Sequence, residues 1–358
     1  MPRTIKVFSH NDLDGFGAPY LLKAVQPTMF SETTFEIEPI GAGRIDDALA
    51  QWLRDPAASQ CTDVYIMDMT PDNDYTIQQL DRYFANHWLI FDHHDSEAEI
   101  RQKYRPNVVT SSIKNPSAVS IVWEWLQGQD YFDQLASTRQ VSLAEYVEAI
   151  RAYDTWDWQN DPDMATEVRQ MADELDQLFW FYPLDYSATF IEQLLATDWA
   201  TYRHQNELLI TTLNERRSHY LKHHLKDVVE AKIDDHIWAI VYANDYKSEI
   251  GHQVLKDHPA AQAAMVVSPK SISFRSNGEL DVASFAEKYF RGGGHEAAAG
   301  ARIDFNLIEV GEKALIEFVQ DTVENHQEEV EATNETLADT PMGAQLAKLA
   351  EQLKKQSN

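Results

Sequence analysis

The first 92 residues alternate between short apolar runs and amphipathic stretches, and nothing else in the chain limits its fold as much. "TIKVFS" (4–9), "DVYIMD" (63–68) and "WLIFD" (88–92) have the length and β-branched content of buried strands. Between them, "AGRIDDALAQWLRD" (42–55) spaces Ile45, Leu49, Trp52 and Leu53 along one helix face, and "NDYTIQQLDRYFANH" (73–87) reads as a second helix. Strand, helix, strand, helix, strand implies an α/β fold with parallel pairing through right-handed crossovers.

A helical region follows. It includes "PSAVSIVWEWLQG" (116–128), with Pro116 suited to a first turn and Gly128 to a helix end, then "LAEYVEAIRAYD" (143–154) and a mostly helical stretch from about 165 to 230. After Asp235 the pattern returns to strands at 236–243, 263–268 and 271–278, with Asn277-Gly278 as a tight-turn signal. A short helix at 282–290 runs into "RGGGH", a strand is expected at 300–305 and a helix at 310–326. We therefore expect a parallel-sheet domain over 1–205, a helical linker over 206–235, a smaller α/β domain over 236–327, and a polar tail over 328–358 with a helix at 343–356.

The formal net charge is −28, from 30 Lys+Arg against 58 Asp+Glu. A surface this acidic repels long polyanions and acidic membranes, so a nucleic-acid substrate would be short and held by metals and a few local cations. The single cysteine, Cys61, leaves no intramolecular disulfide and fits a cytoplasmic protein. The opening residues lack a signal-peptide pattern, and no apolar run approaches the ~18 residues of a membrane span.

The chemistry gathers at strand ends. The first strand ends in His10, Asp12 and Asp14, the second in Asp68, and the third in Asp92, His93 and His94. In an open parallel sheet ligands bind beyond the carboxyl ends of the strands, so these groups would share one crevice. Asp154, after a helix, is a fourth candidate. Carboxylates packed this closely repel one another, and divalent cations relieve that. Mixed carboxylate and imidazole donors suit manganese or a similar ion, and two such ions can hold both the attacking and leaving oxygens at phosphorus. A second signal is "FRGGGHEAAAG": Gly292, Gly293 and Gly294 can adopt angles closed to other residues, and successive N–H groups there would make an anion-binding concavity beside His295. Upstream, Arg275 offers a planar fork for phosphate.

"SHNDLDG", the lone Asp of "IMDMT", "FDHHDS" and "YDTWDW" resemble motifs one to four of the DHH phosphoesterase superfamily, and "SISFRSNGELDVASFAEKYFRGGGHEAAAG" resembles the glycine-rich segment of its companion DHHA1 domain. The resemblance spans roughly residues 4–305 and is greatest to oligoribonucleases of the nano-RNase B type. It implies a DHH domain and a DHHA1 domain with the active site in the cleft between them, and two divalent cations, manganese foremost. By position, Asp12 and Asp14 would each bind one metal, Asp68 would bridge them, and His93 and Asp154 would complete the ligands of the second metal. His94 would contact the substrate phosphate, and Asp92 would orient the histidines. Arg275 and Gly292–His295 would hold the far phosphate or the nucleotide. His10 stands two residues before Asp12 where some branches place a histidine four before, which leaves its metal role open; Asp157 competes with Asp154.

The expected activity is hydrolysis of short oligoribonucleotides, with a cyclic nucleotide, a linear dinucleotide, 3′-phosphoadenosine 5′-phosphate or polyphosphate as the alternative substrates. A non-catalytic nucleotide-binding relative is the alternative of another class, and the filled metal positions speak against it. No membrane or long nucleic-acid partner is expected, and a homodimer is the assembly considered. The aromatic run 178–183, Trp156 and Trp158 are candidates for base stacking, with core packing as their other reading.

Overall fold

The computed structural model describes residues 3–94, 97–303 and 316–325. The chain divides into two compact units, Met1–Arg216 and Arg217–Asn358. The expected tail and its helix at 343–356 lie outside the described residues, as do 310–315 and 326 of the helix expected over 310–326, of which 316–325 is helical.

Unit one opens with β1 (Arg3–His10), α1 (Leu13–Met29), β2 (Thr33–Ile40), α2 (Ile45–Trp52), β3 (Asp63–Met67), α3 (Asp74–Phe84) and β4 (Trp88–Phe91). The strands pair in parallel in the order β2-β1-β3-β4. The three expected strands are all present, and the structure adds α1 and β2. Both carry residues that disguise them. α1 holds Pro19 and Pro27 and is apolar nearly all round. Pro19 has no N–H to give the Gly15 carbonyl one turn earlier, and the Ser9 hydroxyl donates to that carbonyl instead, at 2.5 Å. An interior proline costs a helix about 3 kcal/mol. Burial of Leu13, Phe16, Leu21, Leu22 and Val25, at about 1.5–3 kcal/mol per side chain, more than offsets it. β2 contains Pro39, which the sheet tolerates because β2 is an edge strand.

Alternate strand residues feed two cores, as a parallel sheet covered on both faces requires. Phe8, Val64, Ile66, Trp88 and Ile90 pack with α2 and α3. Ile5, Val7, Tyr65, Met67 and Phe91 pack with α1 and the later helices. Those are α5 (Ala118–Gln127), α6 (Ser137–Asp154), α7 (Asp157–Asn160), α8 (Thr166–Phe181), α9 (Leu184–Ala196), α10 (Trp199–Gln205) and α11 (Glu207–His224), whereas Ile100 of α4 (Ala98–Lys103) packs on the first core. Gly128 caps α5 as expected, but the N-cap is Ser117, so Pro116 precedes the helix.

Unit two contains β5 (Val229–Ile233), β6 (His236–Tyr242), α12 (Lys247–Asp257), β7 (Ala263–Ser268), β8 (Ser271–Ser276), α13 (Val282–Phe290), β9 (Gly293–His295) and β10 (Ala298–Arg302). Its sheet runs β5-β6-β7-β8-β10-β9, with β6 and β7 parallel and the other pairs antiparallel. β5, α12 and β9 are additions to the expected elements. The stretch expected to stay helical to about 230 ends with α11 at His224, and the chain turns into β5. One sheet face, with Trp238, Met265, Ile272 and Phe274, packs on α13 and 316–325. The other, with Ala239, Val241, Ala264 and Val266, packs on α12 and the last turns of α11.

Candidate metal centre and phosphate-binding residues

Each strand end in unit one hands its polar group to a helix or turn that fixes it. After β1, Asp12 is the N-cap of α1: one carboxylate oxygen accepts the Gly15 N–H at 2.9 Å and the other lies 2.7 Å from His10 Nδ1. A Cβ on Gly15 would sit 2.2 Å from the His10 carbonyl oxygen, so only glycine lets the helix start this close to the strand. Asp14, in the first turn of α1, is buried and serves a helix far along the chain. It accepts from the Ser117 hydroxyl at 2.9 Å and from the Ala118 and Val119 N–H groups at 2.5 and 2.9 Å, at the N-terminus of α5. Asp68 follows β3 in the left-handed region, with φ of 58°, and donates its N–H to the Phe91 carbonyl at 2.8 Å. A non-glycine residue held there costs about 1–3 kcal/mol, and such strain collects at functional sites.

These groups converge. His93 Nε2 lies 3.3 Å from Asp68 Oδ1, 3.3 Å from Asp154 Oδ2 and 3.9 Å from Asp14 Oδ2. His10 Nδ1 lies 3.5 Å from the other Asp68 oxygen, and His94 Nδ1 lies 3.9 Å from Asp68 Oδ1. The two oxygens of Asp68 thus face two donor sets, His10 with Asp12 on one side and His93 with Asp14 and Asp154 on the other; the facing atoms of each set lie within 4.8 Å of one another. Asp154 and not Asp157 points into the cluster, because Asp157 is taken by Arg151 at 2.6 Å and Asn115 at 3.2 Å. His10, the open case in the sequence, lies with the first set.

The electrostatics show what the cluster lacks. Burial pushes Asp14 well above the usual carboxylate range, and Asp68 and Asp154 push the same way. Burial also lifts Asp154, to about 6, against the pull of His93. Burial would raise Asp68 too, but the His10 and His93 imidazoles outweigh it and hold Asp68 well below the usual range. The histidines supply the counter-charge. Burial opposes their protonation, yet Asp12 and Asp68 take His10 up to about 11, and Asp154 and Asp68 take His93 well above its usual value. The ring nitrogens that carry these protons are the atoms that face the carboxylates. Among the described residues neither Asp68 oxygen receives a hydrogen bond, although both are buried. Buried oxygen and nitrogen donors in this number, short of positive charge, fit divalent cations bound by carboxylate and imidazole.

Asp92 belongs to a supporting layer. It accepts from Thr70 at 2.6 Å, Arg101 at 2.8 Å and the His93 N–H at 2.9 Å, and lies 2.7 Å from His94 Nδ1. Burial works against its charge, but His94 and Arg101 bring it down to about 2, while Asp92 and Asp68 carry His94 up to about 9. Thr70, Arg101 and Ser117 do not stand out in the sequence. Ser117 had a visible signal, a serine just after a proline at a helix start. Arg101 had none, since nothing local ties an arginine on α4 to a strand end.

Unit two presents a different kind of site. The expected glycine loop is an edge strand: Gly293, Gly294 and His295 pair with Gly300, Ala299 and Ala298. The Gly292 N–H is given to the Ala286 carbonyl at 2.9 Å, and a Cβ there would meet the Gly300 oxygen at 2.2 Å. The glycines thus serve a close hairpin crossing rather than an open anion nest. Register places Arg275, Ala298 and His295 in one row, hence on one face, with the outer two roughly 10 Å apart across two strand spacings. Arg275 donates to the Ser248 hydroxyl at 2.6 Å and lies against Gly251, where a Cβ would come within 2.7 Å of its chain. His252, near Arg275 and also inconspicuous in the sequence, is pushed down to about 3 by burial and by the Arg275 charge, so its ring is neutral.

Of the candidate stacking rings, Trp158 is 7% exposed and packs on Tyr153, so it is a core residue; Trp180 and Phe181 are 62% and 45% exposed.

No family model matches the chain. The chain is 24% identical over 312 residues to the oligoribonuclease NrnB of Bacillus subtilis strain 168, which covers 85% of this chain and 74% of that protein. This similarity supports the resemblance to the DHH phosphoesterase superfamily read from the sequence. The chain shares its fold, at 14% identity and a TM-score of 0.50, with the pGpG-specific phosphodiesterase PggH from Vibrio cholerae, over 89% of this chain and 99% of that one. It also shares it with RecJ from Thermus thermophilus, solved with Mn2+, at 14% identity and a TM-score of 0.52, over 91% of this chain but 52% of RecJ, so it spans about half of that protein. No helix among the described residues is long and apolar enough to cross a membrane.

Proposed function

We propose that this chain is a phosphoester hydrolase that degrades short oligoribonucleotides to mononucleotides in the cytoplasm, with two divalent cations, manganese foremost, at the strand-end cluster of unit one. The observation that carries this is Asp68: a buried, strained carboxylate whose two oxygens face two separate donor sets. His10, Asp12 and Asp68 would hold one cation, and Asp14, Asp68, His93 and Asp154 the other. Bound there, the cations supply charge neutralisation and an activated water for in-line displacement at phosphorus.

The remaining work falls to the chain's own side chains. Asp92, fixed by Thr70 and Arg101, holds the His94 ring by its Nδ1 and leaves Nε2 to donate to a substrate phosphate oxygen. The same carboxylate keeps His94 cationic at neutral pH, which suits an anionic contact. Arg275 and His295, on one face of the unit-two sheet, would bind the far phosphate, with Gly292, Gly293 and Gly294 shaping the hairpin that carries His295. The net charge of −28 disfavours long strands and so limits substrates to a few residues. Similarity to an oligoribonuclease over 74% of its length supports this substrate class. A linear dinucleotide is the second reading, favoured by the shared fold with a pGpG-specific phosphodiesterase over 99% of that chain.

A 5′-labelled RNA pentamer incubated with protein and manganese, beside chelator and Asp68→Asn controls, tests the reading. A metal-dependent ladder of shortened labelled products is expected and means removal from the 3′ end. Immediate labelled mononucleotide would keep the chemistry and reverse the direction. If folded, metal-loaded protein leaves the pentamer intact but cuts a linear dinucleotide, the second reading replaces the first.

A further inference from the structure

The last turns of α11 carry a concentration of positive charge unlike the rest of this acidic chain. Between Glu215 and Asp227 the sequence holds Arg216, Arg217, Lys222 and Lys226 and the histidines 219, 223 and 224, with no acid among them. The helix sorts them. Tyr220, Leu221 and Leu225 face the unit-two core. The Tyr220 hydroxyl accepts the Asn244 and Asp245 N–H groups at 2.9 and 3.1 Å, and His224 Nδ1 lies 2.8 Å from the Tyr242 carbonyl oxygen. Arg216, His219, Lys222, His223 and Lys226 are exposed. At 3.6 residues per turn the first four fall within about 120° of the helix circumference, a stripe over about 10 Å of its length, and Lys226 follows in the turn just past the helix end.

Several cations elsewhere are neutralised where they stand: Arg3 by Asp63, Lys6 by Glu38, Lys103 by Asp74, Arg151 by Glu148 and Asp157, and Arg203 by Glu174. On the α11 stripe, by contrast, no side chain of Arg216, His219, Lys222, His223 or Lys226 makes an ion pair or hydrogen bond among the described residues. Favourable placement at a helix C-terminus accounts for the last turn only, and Arg216 and His219 lie earlier.

We infer that this stripe is a docking surface for the phosphodiester backbone of single-stranded RNA, engaging two or three phosphates apart from the one being cleaved. Its narrow, linear form matches a strand. A flat anionic membrane would also meet the acidic surface around the stripe, and the stripe offers no apolar anchor to offset that repulsion. The inference rests on the oligoribonuclease reading for its biological sense, but its test does not depend on hydrolysis.

Binding of a fluorescein-labelled RNA octamer to the full chain in chelator, read by anisotropy across a salt series, is the test. The Arg216→Gln/Lys222→Gln/Lys226→Gln variant is expected to bind the octamer at least tenfold more weakly at low salt. Its slope of log affinity against log salt should be shallower by about 2, at about 0.7 per phosphate contact on a single strand. Its circular-dichroism melt and its turnover of a dinucleotide should match the parent chain. Unchanged octamer binding and slope would overturn the inference, as would an equal loss on octamer and dinucleotide. Parent protein that binds phosphatidylserine vesicles through these residues, but not the octamer, would overturn it in favour of a membrane surface. If the chain binds the octamer through the stripe yet cleaves no oligonucleotide, the inference stands and the proposed activity fails.

Discussion

The two units treat buried charge in opposite ways. In unit one, Asp14, Asp68 and Asp92 lie at 2–4% exposure beside His93, and the cluster reaches balance only by loading protons onto its histidines. In unit two the polar groups facing the α12 side are hydroxyls, cations and a neutral imidazole: Lys247 donates to Ser268 and Ser271 at 3.0 Å each, and Arg275 to Ser248. The first arrangement is incomplete without an added positive charge, and the second is stable as it stands. A charge excess under burial marks where chemistry is expected; a satisfied polar face marks where binding is expected.

Four measurements put that contrast at risk, and they are taken in order of falling effect. Asp68→Asn should lower manganese-dependent turnover by about 10³-fold, because the side chain facing both donor sets loses its charge; a loss under tenfold would show that Asp68 is not central. Arg101→Ala removes a donor from Asp92 without touching either donor set, and should cost about 10- to 100-fold in metal affinity or turnover, as loss of ligand-supporting partners does. Arg275→Ala, in unit two, should raise KM about tenfold and leave kcat within about twofold, since a binding contact equal in ground and transition states is lost. If kcat fell instead, unit two would share in the chemistry and the contrast would fail.

The smallest effect is on pH dependence. In chelator-treated protein His94 sits at about 9 and His10 at about 11, above the ordinary imidazole value. A raised value in the folded state contributes stability below the unfolded value of about 6.5 and loses it as pH climbs through the folded one. The Tm of the chelated protein should therefore fall by several degrees between about pH 6.5 and 9. Metal binding needs the His10 and His93 rings deprotonated, and both are raised above the ordinary imidazole value, so the Tm gain from manganese should widen as pH rises. A gain that narrows with pH would mean that protons and metal do not compete for these nitrogens.

How far the sequence could be read depends on the range of the forces involved. β1, β3 and β4 were legible because their apolar runs are short and bounded, and the polar groups after them needed only the rule that ligands gather at parallel strand ends. α1 and β2 were not, because Gly15, Gly17, Pro19 and Pro39 argue locally against structures that burial and edge position permit. β9 hid within its glycines for a similar reason: pairing with β10, not local propensity, makes it a strand.

Local periodicity and position were enough for the α/β class, for the strand-end cluster of His10, Asp12, Asp14, Asp68, Asp92, His93 and His94, and for the candidacy of Asp154. How those groups are held came from the folded chain alone. Asp14 caps a helix that begins more than a hundred residues later, Arg101 secures Asp92 from α4, and Asp154 rather than Asp157 meets His93. Each is a contact between segments with no local signal for one another, and it exists because a buried polar group must find its partner wherever packing brings one within reach.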